Sequence, residues 1–141
     1  MKTNELLAKY PLATEVIRKS YFDKMIASVE SAKDIPEEFK QSLMNEAITD
    51  ERLIIFIDSQ PRTLFDVFDD NELYIVMGIV ESKDFKPSFW FHIHGLSDNS
   101  ESFKTRKEAE LVAIAEAFKL LEEKIAPIEF PNIEDEAVIN D

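Results

Sequence analysis

Two histidines stand one residue apart in the stretch WFHIHG, residues 90–95. In an extended chain alternate side chains share a face, so His92 and His94 would lie with Trp90, opposite Phe89, Phe91 and Ile93. Both imidazoles could then reach one point, which is half of a metal site. A structural zinc ion takes four ligands and a catalytic one usually three from the protein. The chain has no cysteine and no third histidine, so only Asp or Glu could complete the set. The competing reading is a half-exposed strand face that uses histidine as a polar aromatic, and on ligand count we expect neither metal nor cofactor.

The residues that follow raise a second possibility. A strand leading into FKTRKEAELVAIAEAF resembles the last strand and final helix of double-stranded-RNA-binding domains, in which lysines at the helix start contact phosphates across a groove. Lys104, Arg106 and Lys107 stand at that position. Glu108 and Glu110 dilute the cluster, and the net charge of −13 repels a phosphate backbone. No nucleic-acid partner is expected. A third pattern lies upstream, where Asp70 and Glu81-x-Lys83 resemble the Asp…Glu-x-Lys signature of a large nuclease superfamily. That site needs the acids and the lysine to meet at a magnesium ion. Here Asp70 and Glu81 flank a single strand that would hold them roughly 36 Å apart at about 3.3 Å per residue, unless the chain bends at Gly78. Other chemistries have less support. Two glycines cannot build a glycine-rich phosphate loop, no serine sits in a G-x-S-x-G setting, and FDVFDDNE lacks the spacing of a calcium loop.

The elements that would position these residues read as an α+β domain. A chain of 141 residues with 45% hydrophobic content and eleven Phe is enough for one buried core. The helical part occupies 1–70, a hairpin and a helix occupy 71–126, and 127–141 form an acidic C-terminal tail. A helix over 13–31 places Ile17, Tyr21, Phe22, Met25, Ile26 and Val29 on one broad face. Asp34 and Glu37 have N-cap and N3 spacing for a second helix, with Phe39, Leu43 and Ala47 following at four-residue steps. TDERLIIFIDSQPRTLFDVFDDN suggests two short helical segments broken at Gln60-Pro61, although LIIFI alone could be a strand.

The strands come next. ELYIVMGIVES and KPSFWFHIHGL have strand composition, and we expect them to pair as a central antiparallel β-hairpin or small sheet turning through KDFKP. Thr105 and Glu108 form a T-x-x-E capping box for a long amphipathic helix, on which Leu111, Ile114, Phe118, Leu121 and Ile125 recur at helical spacing. The extended tail carries five acids and no base, with Ile128, Phe130 and Ile133 as its possible anchors.

Charge and hydropathy narrow the setting. The longest uncharged apolar stretch, Leu73–Val80, is far short of a membrane span, and no apolar signal core stands at the N-terminus. A cytoplasmic location and no membrane partner are the expectations. Cysteine-free composition is compatible with a reducing compartment.

A surface argument then supplies a functional candidate. If Leu73, Ile75, Met77 and Ile79 join Phe89, Phe91 and Ile93 beneath the last helix, the opposite face presents Tyr74, Val76, Trp90, His92 and His94. A contiguous apolar and aromatic face needs a cover, which the N-terminal helices or the tail could supply and which is the expectation here, or else a partner or a second copy. Three stretches, LLAKYPLATEVIRKSYFDKMIASV, IDSQPRTLFDVFDDNELYI and FKTRKEAELVAIAEAFKLLEEK, resemble small proteins of phages and prophages of gut bacteria that have no assigned activity. That resemblance implies an accessory or host-interaction protein. The expected function is therefore a non-catalytic acidic protein that binds a protein partner or associates with itself, with a homodimer as one form. A metal-dependent hydrolase or nuclease using the Asp/Glu clusters, and an acidic mimic of nucleic acid, are the competing classes.

Overall fold

The computed structural model describes residues 2–45, 48–81, 86–94, 97–98 and 101–126. Helices α1 (Thr3–Lys9), α2 (Pro11–Ser31), α3 (Glu37–Met44), α4 (Asp50–Ser59) and α5 (Pro61–Asp70) come first. Strands β1 (Ile75–Glu81), β2 (Pro87–Ile93) and β3 (Ser97–Asp98) and helix α6 (Arg106–Ile125) follow. The class is α+β, and the long C-terminal helix stands where the capping box put it. The Thr105 hydroxyl accepts from the Glu108 N–H at 3.1 Å. No helix of the described residues is long and apolar enough to cross a membrane.

The ambiguous LIIFI stretch is helical, for a local and a tertiary reason. The Thr49 hydroxyl accepts from the Arg52 N–H and caps α4, and Leu53 and Ile57, one turn apart, are both buried. Pro61 then opens α5 at a position where no N–H is required.

Three expectations need correction. Asp34 does not cap α3: the N-cap is Pro36, without any side-chain bond, and Phe39 is 58% exposed. Leu111 is exposed on α6, whose buried face is Ala109, Ala113, Ile114, Ala117, Phe118 and Leu121. Small alanines between large residues let α6 approach both α2 and the sheet, which displaces the apolar stripe from Leu111. Helix α1 had no cap signal to announce it, and none forms at Lys2. Ala47, residues 83–85 of the KDFKP stretch expected to turn, and the tail anchors Ile128, Phe130 and Ile133 lie outside the described residues.

One core joins the helices to the inner face of the hairpin. Leu53, Leu64, Val67, Phe68, Leu73, Ile93, Phe118 and Leu121 are buried within it, and Phe68 meets Phe118 edge to face with centroids 5.9 Å apart. Long-range polar contacts set the helices on one another. The α2 N-terminus has no cap of its own, and the Glu122 carboxylate of α6 accepts from the Ala13 N–H at 2.8 Å. The buried Thr14 hydroxyl donates to the Tyr10 carbonyl at 2.8 Å and lies 3.1 Å from that of Leu7. Arg18 of α2 donates to the Ile48 carbonyl and pairs with Asp50 at the start of α4. Tyr21, stacked on Phe56, has its hydroxyl pushed up to about 12, first by burial.

The turn into β1 is held from across the domain. Glu72 adopts φ 63°, a strained value for a residue with a side chain. Lys124 of α6 donates to the Asn71 carbonyl and lies 3.7 Å from the Glu72 carboxylate, and the Asn71 amide donates to the Val67 carbonyl. These bonds fix where β1 begins.

Candidate binding surface on the hairpin

The register of β1 and β2 is unbroken from Ile75↔Ile93 to Glu81↔Pro87. It pairs Val76 with His92 and Gly78 with Trp90, and the His94 N–H donates to the Tyr74 carbonyl at 2.9 Å. Tyr74, Val76, Trp90, His92 and His94 thus share the outer face, as alternation required. Tyr74 is 46% exposed and Val76 37%, and Val80, on the same face, is 53% exposed. At its Tyr74–His94 end the face borders α6 at Leu120, Glu123 and Lys124, and toward Val80 it is open.

The aromatic centre of this face is built by a glycine. A Cβ placed on Gly78 would fall inside the Trp90 ring, so only glycine lets the indole lie across the strand. Trp90 also stacks on His92 with centroids 5.6 Å apart and planes at 4°. Indole and imidazole therefore form one offset-stacked aromatic platform. The role of Gly78 was not foreseen: it is a landing for Trp90, not a bend.

That geometry bears on each chemical candidate. His92 is engaged with Trp90, whereas His94 lines a separate depression with Tyr74, Leu120, Glu123 and Lys124. Among the described residues no group of three or more His, Asp or Glu is brought together at metal-binding distance. The unbroken strand keeps Asp70, at the end of α5, away from Glu81 at the far end of β1, and Lys83 lies outside the described residues. Of the three cations at the start of α6, Arg106 has its guanidinium 5.6 Å over the ring of Phe89, and Lys104 and Lys107 are exposed.

A second concavity was not anticipated from the sequence. It lies between α5, β1 and the first turns of α6, with Phe65, Met77, Ile79 and Phe89 among its apolar lining. Each residue is ordinary in sequence, and only the placement of α5 beside β1 assembles them.

Comparison with protein-family models, with curated proteins and with solved structures returned no match.

Proposed function

We propose that this chain is a non-catalytic interaction domain whose outer hairpin face receives a protein partner. The observation that carries the reading is the platform of Trp90 on Gly78 and His92, flanked by exposed Tyr74, Val76 and Val80. Flat, rigid aromatic surface with few rotamers to freeze is the material of interface centres. The negative charge of the chain favours a partner with a basic rim, and the phage-type resemblance favours one from the host. A cytoplasmic setting belongs to the same proposal. The separation of Asp70 from Glu81 along the unbroken strand weighs against the nuclease alternative.

The test asks what covers the platform. Val76→Asp and Val80→Asp put charge on the face without touching the core, and both variants should fold normally while losing partner capture and apolar-dye binding. Deleting 127–141 tests the chain's own tail as the cover. If Ile128 and Phe130 dock there, truncation will shift the emission of Trp90 and raise dye response. Unchanged capture by both Asp variants would overturn the proposal.

A further inference from the structure

β1 is an edge strand. Sheet order is β1–β2–β3, and among the described residues no strand pairs with the side of β1 turned away from β2. In an antiparallel ladder alternate residues turn both backbone groups toward the partner strand, and the others turn theirs away. The His94 N–H donates to the Tyr74 carbonyl, and Phe89 exchanges two 2.8 Å bonds with Phe103 on the far side of β2. Val76 and Gly78 therefore bond to β2, while Ile75, Met77 and Ile79 direct their N–H and C=O groups outward. Natural sheets blunt such edges with lysine, proline or a bulge. From Ile75 to Val80, β1 has none of these.

This edge opens on the groove of about 760 Å³ beside α5. The groove is floored by Phe65, Met77, Ile79 and Phe89, and it reaches the strand backbone at Gly78. Its two ends differ in charge. The turn at 71–74 sets the end of α5 beside the start of β1, so Asp66 and Asp69 lie toward Ile75. Arg62, at the start of α5, and Arg106, over the Phe89 ring that pairs with Ile79, mark the other end. Glu110 lines the groove one turn further along α6 from Arg106, toward the turn at 71–74. Burial and the charges of Asp66 and Asp70 raise the pKa of Asp69, so a cation is favoured there.

We propose that the groove takes an extended segment of a partner protein as an added strand, antiparallel to β1. Its alternate apolar side chains enter the groove, an acid near its N-terminal end meets Arg62 and Arg106, and a Lys or Arg near its C-terminal end meets Asp66 and Asp69. Main-chain bonds to Ile75, Met77 and Ile79 supply affinity, and the groove supplies selectivity. The chain's own tail matches poorly, because 127–141 hold five acids and no base to meet Asp66 and Asp69. A second copy of β1 matches poorly as well, since its Glu81 would fall beside those acids. This edge is distinct from the outer face, so the two proposals stand or fall separately.

The probe is the peptide acetyl-ETVTVTK-amide, titrated to roughly millimolar concentration and read by amide hydrogen exchange of the full-length protein. Binding should slow exchange at Met77 and Ile79 by about tenfold or more and leave Val76 and Gly78, already bonded to β2, unchanged. The peptide acetyl-ETVTVTE-amide should bind about threefold to tenfold more weakly, and an Asp66→Asn/Asp69→Asn variant should lose that preference. Three results would overturn the proposal. One is no protection by the first peptide, and another is equal protection by a version N-methylated at alternate amides. The third is an edge already protected without peptide, whether in a dimer or in a monomer that loses the protection when 127–141 are removed.

Discussion

The two faces of the hairpin are made by the same strands and have opposite fates. On the inner face Phe91 and Ile93 are fully buried against α6 and the helices, and only toward the groove does Ile79 emerge, 52% exposed, while on the outer face Tyr74, Val76 and Val80 are 46%, 37% and 53% exposed. Composition does not explain the difference, because both faces are apolar. What differs is cover: the inner face joins the core with α6 and the helices, and the outer face borders α6 only at its Tyr74–His94 end. A two-sided apolar hairpin thus stays folded through one face while the other remains partly open.

The strongest way to break this comparison is to swap the cost of truncation between faces. Phe91→Ala should destabilise by about 3–5 kcal/mol, because it opens a cavity in the core. Val76→Ala should cost less than about 1 kcal/mol. Urea unfolding measures both through the midpoint at constant slope. Equal costs would mean that the outer face is core after all, covered by a segment or a second copy.

Gly78→Ala acts on the outer face alone and should cost about 1–3 kcal/mol, since the added methyl occupies the place of the Trp90 indole. The displaced ring should leave His92 and emit further to the red. In a Trp90→Ala background the same substitution should be nearly neutral. That non-additivity is the signature of the platform.

Beneath the inner face, Glu122→Gln removes the carboxylate that caps α2 from α6 and should cost roughly 1 kcal/mol. An outer-face change should leave this term intact. The cap also illustrates what sequence can carry. Thr105-x-x-Glu108 was legible because donor and acceptor are three residues apart, and the faces of β1 and β2 were legible because alternation has a fixed period. Glu122 capping Ala13, Arg18 reaching Ile48 and Asp50, and α5 lying beside β1 depend on segments far apart in the chain. Leu111 and Phe39 misled for the opposite reason: their spacing was helical, but alanines and neighbouring helices decide which stripe is buried. The candidate face was therefore readable residue by residue, whereas the groove along the β1 edge was not.

The smallest expected effect is none, and it concerns the histidines of the outer face. Adding zinc should leave both the melting temperature and the Trp90 emission unchanged. To serve as a ligand, His92 would have to give up its stacking on Trp90, and among the described residues no group of three or more His, Asp or Glu is gathered to hold an ion. His94 lies by Glu72 and Glu123, but the cation in that depression is already present as Lys124, bonded to the Asn71 carbonyl and close to Glu72. A genuine site would be conspicuous, because a ligand at one hundred times its Kd stabilises by about 2.7 kcal/mol. A zinc-dependent rise in melting temperature that vanishes in His92→Ala would show that the platform opens to form a metal site, and the outer face would then have to be read as chemistry, not contact.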